Sequence, residues 1–141
     1  KFIIVNIEFN WIAILTATIA GTVVAGIWYS KLFGKSWREL TGVTEADSKK
    51  AGKTPILILV VSNFITTLGM GFILNQLQPE SDLSKFIFSI LISSIIWLSF
   101  SATTLMTNNT FELKPKKLTW INIAYQFTLF IVIALTLTFF S

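Results

Sequence analysis

Four long apolar segments alternate with shorter polar ones along this chain. None of the four contains Asp, Glu, Lys or Arg, and each is close to the ~20 residues that an α-helix needs to cross ~30 Å of hydrocarbon. The pattern predicts an all-α integral membrane protein, with four transmembrane helices in a compact bundle that forms one domain over residues 1–141. The predicted spans are residues 11–30, 55–77, 86–106 and 118–140.

The first polar loop, residues 31–54, carries helix signals of its own. Ser36 and Glu39 have the three-residue spacing of a capping box, and Gly42 follows as a stop signal. Thr44 has the position of a second N-cap, ahead of a short stretch with acids first and lysines last. We therefore expect a short interfacial helix, or two, in this loop, lying on the membrane surface.

The basic residues are concentrated on one side of the predicted bundle. The chain has 11 Lys and Arg against 7 Asp and Glu, a net charge of +4. Nine of the basic residues lie in the loops 31–54 and 107–117, which share a side in a four-span protein, and Lys1 and Lys85 are the others. The positive-inside rule then predicts that these loops are cytoplasmic and that both termini are outside. This distribution favours lipid headgroups over nucleic acid as the partner of the positive charge.

Composition excludes several classes of chemistry. Charged residues are 13% of the chain, about half the usual share of a soluble domain, and the mean hydropathy is +0.72. The absence of Cys and His excludes disulfides and thiolate or imidazole metal sites. The predicted spans hold no carboxylate for acid–base catalysis, so we expect a protein that is not an enzyme and has no catalytic residues, cofactor or metal.

Small residues recur every four positions in the first predicted span, at Ala13, Ala17, Gly21 and Ala25. This spacing places them on one face of a helix and lets a neighbouring backbone approach closely. The face predicts helix packing within one protomer or between protomers. A four-span chain buries little area between its own helices, so we expect a homo-oligomer built on this face, or a membrane-protein partner.

A polar seam is predicted along the third span, with its members spaced 3, 4, 3 and 4 residues apart: Ser94, Trp97, Ser101, Thr104 and Asn108. The second and fourth spans add Asn63, Asn122, Tyr125 and Gln126. An amide without a partner in hydrocarbon costs several kcal/mol, so these amides must face inward or line water. Two interpretations remain open, namely interhelical hydrogen bonds and a narrow polar pathway.

Two stretches resemble a known family. WYSKLFGKSW (28–37) has an aromatic–Tyr pair followed by Leu-Phe-Gly-Lys-x-Trp, and residues 102–126 contain Thr-Asn, Phe-Glu and Ile-Asn-x-x-Tyr in the same order. Both are similar to the bacterial membrane family known as domain of unknown function 1761, which often has His where this chain has Gln126. The motif falls on Trp28, Tyr29, Phe33, Gly34, Lys35, Trp37, Thr107, Asn108, Phe111, Glu112, Asn122 and Tyr125.

The resemblance implies a bacterial four-helix membrane protein, hence one of the cytoplasmic (inner) membrane, and it implies no activity. It also directs attention to the predicted cytoplasmic end, where we expect Glu112 to pair with Lys35 or Arg38. Two functions are consistent with the residues. One is a small homo-oligomeric channel or transporter for an ion or small solute, and the other is a non-catalytic accessory or scaffold subunit of a larger membrane complex.

Overall fold

The computed structural model describes residue 5, residues 7–77 and residues 79–141. Lys1, which was counted in the predicted charge distribution, lies outside these residues. Four helices in this part of the chain are long and apolar enough to cross a membrane, which confirms the all-α, four-span prediction. They are Trp11–Leu32, Thr54–Asn75, Asp82–Phe111 and Lys116–Phe139.

The first and third of these helices each contain a π-helical segment. In chain order the elements are α1 (Trp11–Ile27), the first π segment (Trp28–Leu32), α2 (Gly34–Thr41), α3 (Glu45–Ala51), α4 (Thr54–Asn75), α5 (Asp82–Ile96), the second π segment (Trp97–Ala102), α6 (Thr103–Phe111) and α7 (Lys116–Phe139). The run from α5 to α6 is one unbroken helix of 30 residues.

The third helix is nine residues longer than its predicted span. It begins after Ser81, whose hydroxyl accepts the backbone N–H of Ser84 at 3.1 Å. At the other end, α6 continues through polar residues as far as Phe111. Hydropathy detects the apolar part of a helix, whereas polar residues at the ends form helical hydrogen bonds equally well. The prediction therefore missed both ends of this helix.

The fourth helix, α7, lies at the centre of the bundle. It contacts α1 and α5 most extensively and also packs against α2, α4 and α6. The apolar core consists mainly of α1 and α7 side chains, among them Ile14, Leu129 and Ile133, which are almost completely buried. The outward faces of α4 and α5 are covered with exposed aliphatic side chains, as expected for helices that contact lipid.

The small-residue face of α1 is used inside the protomer. Ala13, Ala17, Gly21 and Ala25 are all buried. A Cβ atom added to Gly21 would lie 2.8 Å from Cδ1 of Leu129 on α7, so the two helices meet at this point. The face therefore packs within the protomer, where Gly21 meets α7, and the expected homo-oligomer stays a prediction.

The first loop contains two short helices, α2 and α3. Thr44 caps α3 as predicted, in a capping box with Asp47, and the Thr44 N–H that bonds the carboxylate lowers the pKa of Asp47. Gly42, with φ of 72°, ends α2 as predicted. The capping box predicted at Ser36 was wrong. The helix starts at Gly34, directly after the first π segment, and Ser36 therefore lies inside it.

Candidate functional site

The end of α1 is fixed to α7 by two side chains of the first π segment. The Trp28 indole Nε1 donates to the backbone carbonyl of Ile121 at 3.1 Å. The Tyr29 hydroxyl donates to Oδ1 of Asn122 at 2.8 Å. Both bonds cross between helices whose residues are 93 positions apart in the sequence, so they hold the tertiary structure together.

Aromatic rings surround these two bonds and form a cluster at this end of the bundle. The Tyr29 ring meets that of Tyr125 edge-on, with centroids 5.0 Å apart, and that of Trp37 at 6.2 Å. The Trp28 ring lies 4.9 Å from Phe33 and 6.4 Å from Tyr125. We call the five residues Trp28, Tyr29, Phe33, Trp37 and Tyr125 the aromatic cluster.

Gly34 allows the chain to turn from the first π segment into α2. A Cβ atom at this position would lie 2.9 Å from the backbone oxygen of Tyr29, closer than real Cβ contacts come. Because the obstructing atom belongs to the backbone, no side-chain rotation relieves the clash. Glycine thus lets α2 fold back so that Trp37 reaches the Tyr29 ring.

The two tyrosines of the cluster differ in hydrogen bonding. Tyr125 is 5% exposed, and among the described residues its hydroxyl is the one buried side-chain N or O atom without a hydrogen-bond partner. An orphaned buried hydroxyl does not stabilise the fold, whereas the partnered Tyr29 hydroxyl does.

Replacing each tyrosine by Phe tests this difference. Tyr29→Phe is expected to lower the free energy of unfolding by about 1 kcal/mol, because Asn122 loses its donor. Tyr125→Phe is expected to leave it unchanged or to raise it slightly. Titration of the purified protein with SDS, followed by circular dichroism, measures both. An equal loss in the two variants would mean that the Tyr125 hydroxyl does bind a partner.

The second π segment attaches the third helix to α7 in the same way as the first π segment attaches α1. Trp97 begins the segment, and its Nε1 donates to the carbonyl of Ile123 at 2.9 Å while its ring packs on Phe127 at 4.7 Å. The carbonyls of Ile121 and Ile123 are two residues apart, hence about 200° around the axis of α7. Two tryptophans therefore hold α7 from nearly opposite sides.

The polar seam predicted on the third helix does not coincide with its buried face. The buried positions of this helix are Ser89, Ser93, Ala102 and Asn109. The seam residues Ser94, Trp97 and Ser101 are half-buried, and Thr104 and Asn108 are exposed. Beyond Trp97 the π segment adds to this offset, because its wider turns rotate every following residue relative to the α-helical register that the seam assumed.

Hydroxyl groups along this helix bond to their own backbone. Ser94 donates to the carbonyl of Ile90 at 2.7 Å, and Thr104 to that of Phe100 at 2.6 Å. Such bonds satisfy a hydroxyl in hydrocarbon without water or a second helix. In α4, the buried Asn63 amide donates to the Thr22 hydroxyl at 3.3 Å, and half-buried Gln126 lies on α7.

A polar contact that the sequence did not single out joins the third and fourth helices at their connecting turn. Asn109 Nδ2 donates to the Thr119 hydroxyl at 3.1 Å, and both residues are buried. The seam pattern selected the neighbouring Asn108 instead. The sequence holds no signal that separates Asn109 from Asn108, because the π segment that changes the helical register ahead of them is not marked by any residue type.

Asn108 and Asn109 form a matched pair for mutation. Asn109→Ala is expected to lower the free energy of unfolding by about 1 kcal/mol, because the turn loses its interhelical bond. Asn108→Ala is expected to change it by less than about 0.5 kcal/mol, as for an exposed site. Both are read from SDS titration. A larger loss at Asn108 would instead place the predicted seam in a packed interface.

The acidic residue of the third loop pairs locally. Glu112 forms an ion pair with Lys114 at 2.8 Å, and the expected pairing with Lys35 or Arg38 was wrong. The turn brings Lys114 back towards Glu112, because its backbone N–H donates to the Asn109 carbonyl at 2.9 Å. Lys35 is exposed on α2.

Comparison with known proteins identifies the family of this chain. The model of the family described as Protein of unknown function (DUF1761) matches residues 12–138, almost the whole chain. The chain belongs to the DUF1761 family. No curated protein and no solved structure matches it. Seven of the motif positions identified from the sequence lie at the aromatic cluster of this DUF1761 chain: Trp28, Tyr29, Phe33, Gly34, Trp37, Asn122 and Tyr125. Four others are exposed: Thr107, Asn108, Phe111 and Glu112.

At the opposite end of this DUF1761 bundle is a vestibule of about 230 Å³. It opens where α1 and α5 begin and where α4 and α7 end. Its lining includes the polar residues Asn10, Asn75 and Lys85 and the buried residues Ala13, Ile14 and Gly71. Its rim is tied together by the Asn10 amide, which donates to the Phe140 carbonyl at 3.1 Å.

The two ends of the bundle present different chemical groups. Among the described residues, no group of three or more acidic side chains could hold a metal ion. The aromatic cluster offers ring faces and one orphaned hydroxyl, and the vestibule offers amides and a single ammonium group.

Proposed function

We propose that this protein is a non-catalytic accessory or scaffold subunit of a membrane complex. This proposal rests on the hydrogen bonding of the buried polar side chains. Within the described part of the chain, Tyr125 has the one buried side-chain N or O atom without a partner. A solute pathway needs polar groups that stay free for water or cargo, whereas an assembly subunit needs a rigid body with outward faces for its neighbours.

The outward face of α4 is the surface proposed for assembly. In its most apolar part 22% of the residues are buried within the protomer, against 17% for the third helix, and Ile58 and Ile65 are 60% and 63% exposed. In lipid, helices associate through close packing, so a neighbour must fit these side chains.

The assembly proposal is tested by native mass spectrometry of the protein extracted from its own membrane in mild detergent. The wild type is expected to carry a second polypeptide in fixed stoichiometry. Ile58→Ala with Ile65→Ala is expected to release it, whereas Ile19→Ala on the exposed face of α1 is not. A protein that is always monomeric, or that carries the partner equally in all variants, would contradict the proposal.

A second candidate function, a small channel or transporter, is favoured by the vestibule. Alternating-access proteins expose a site on one side of the membrane at a time. This bundle has a vestibule at one end and a packed aromatic cluster at the opposite end. Reconstituted in liposomes, such a protein is expected to pass a solute, and Asn63→Leu, which removes a polar group of the predicted pathway, is expected to lower the flux. The absence of flux for ions and small solutes would remove this candidate.

We also propose the location and orientation of the chain. The family resemblance suggests a bacterial inner membrane. Nine of the eleven basic residues lie in the two loops on one side, so the positive-inside rule favours an orientation with both termini outside. The natural absence of Cys permits a direct test with an impermeant thiol reagent added to intact cells. Glu80→Cys is expected to react and Ser48→Cys to stay unlabelled. The reverse pattern would invert the topology.

A further inference from the structure

An open groove lies beside the turn that joins α6 to α7, at the same end as the aromatic cluster. Its volume is about 580 Å³, within the range of sites that hold small molecules. It is lined by Met106, Thr110, Leu113, Lys114, Lys116, Thr119 and Trp120. The lining thus combines an apolar wall with two ammonium groups and two hydroxyls.

The backbone of Leu113, in the apolar wall of the groove, has an unusual conformation. Leu113 has φ of 56°, a left-handed conformation that glycine usually takes at the end of a helix and that costs other residues about 1–2 kcal/mol. Its side chain is 90% exposed, and that of Trp120 across the groove is 61% exposed. Contact with an acyl chain would remove both side chains from water and so offset this cost.

The two lysines of the groove differ in their partners. Lys114 is held by Glu112 at 2.8 Å. Lys116 takes part in neither of the ion pairs seen between described residues, Lys114–Glu112 and Lys85–Asp82. An unpaired ammonium beside an apolar wall attracts an anion that carries a hydrophobic chain.

We propose that this groove binds one anionic phospholipid molecule. Its acyl chain lies against Leu113, Trp120 and Met106, and its phosphate meets the ammonium of Lys116. A free phosphate ion would use the lysine alone, and an uncharged lipid would use the wall alone. The combination selects a ligand that has both parts. This inference is independent of whether the protein assembles a complex or conducts a solute.

The proposal is tested by native mass spectrometry of the protein in a non-ionic detergent. Dioleoylphosphatidylglycerol is expected to bind with a stoichiometry of one, whereas dioleoylphosphatidylcholine and inorganic phosphate are not. Lys116→Gln is expected to weaken binding about fivefold, as for the loss of one charge near an anionic headgroup. Trp120→Ala is expected to weaken it at least as much.

Lys49→Gln is the matched control, because it removes one positive charge from α3, away from the groove, and it should leave binding unchanged. Both lysines are exposed, so neither substitution threatens the fold. Equal weakening by Lys49→Gln and Lys116→Gln would overturn the proposal, because it would show that the basic surface as a whole attracts the lipid. Equal binding of phosphatidylcholine, or binding of phosphate alone, would also overturn the proposal.

Discussion

Gly21→Leu is expected to lower the free energy of unfolding by about 3 kcal/mol, the upper end of the usual cost of overpacking. Even a Cβ atom at this position would lie 2.8 Å from Cδ1 of Leu129 and 3.4 Å from Cδ1 of Ile133. A leucine adds three further carbon atoms, so α1 and α7 must separate. Their contact is the most extensive in the bundle, and the loss is therefore large.

Gly26 supplies the control for this prediction. It lies on the same helix, is exposed, and has no atom within 4 Å of an added Cβ. Gly26→Leu is expected to be neutral or to stabilise the helix by up to about 1 kcal/mol, because leucine is the better helix former. Adding Leu129→Ala to Gly21→Leu should restore part of the lost stability. SDS titration that shows equal effects at the two glycines, and no rescue, would contradict the close approach of α1 and α7.

The double variant Trp28→Phe with Trp97→Phe is expected to lower the free energy of unfolding by about 2 kcal/mol. Each substitution keeps an aromatic ring and removes one indole N–H that bonds a carbonyl of α7. Interhelical hydrogen bonds in membranes contribute about 0.6 kcal/mol on average and up to about 1.7. Phenylalanine also leaves part of the indole volume unfilled, which adds to the loss.

Trp11→Phe is the control for this pair, because its side chain is 55% exposed. It should change stability by less than about 0.5 kcal/mol in the same SDS titration. The single variants should each contribute about half of the total, since the two bonds lie on nearly opposite sides of α7 and share no partner. A double variant as stable as the wild type would show that packing alone holds α7 in place.

The architecture was predictable because hydrocarbon leaves a chain few options. A span must be helical and about 20 residues long, and these requirements are visible in apolar runs such as residues 118–140, where α7 was found at Lys116–Phe139. The ends of the third helix and the start of α2 were less accessible. The third helix begins at the cap residue Ser81, and α2 begins at Gly34 directly after the first π segment. Hydropathy detects neither of these starting points.

The candidate site was predictable only in part. The aromatic residues of the first motif and Asn122 were identified from the sequence, and the structure brings them into contact. The seam on the third helix was drawn with α-helical spacing, which fails beyond Trp97 because a π segment follows. No residue type in that segment indicates a wider turn as clearly as glycine indicates a positive φ. The inward position of Asn109 could therefore not be predicted from the sequence.

The unbroken run from α5 to α6 has a consequence for its fit to the bilayer. Thirty residues extend about 45 Å, whereas the first span of 22 residues extends about 33 Å. Even a tilt of about 40°, the steepest usually seen, leaves a projected length of about 34 Å against ~30 Å of hydrocarbon. The third helix therefore protrudes from the hydrocarbon. A change in bilayer thickness would act on this helix before it acted on the other three.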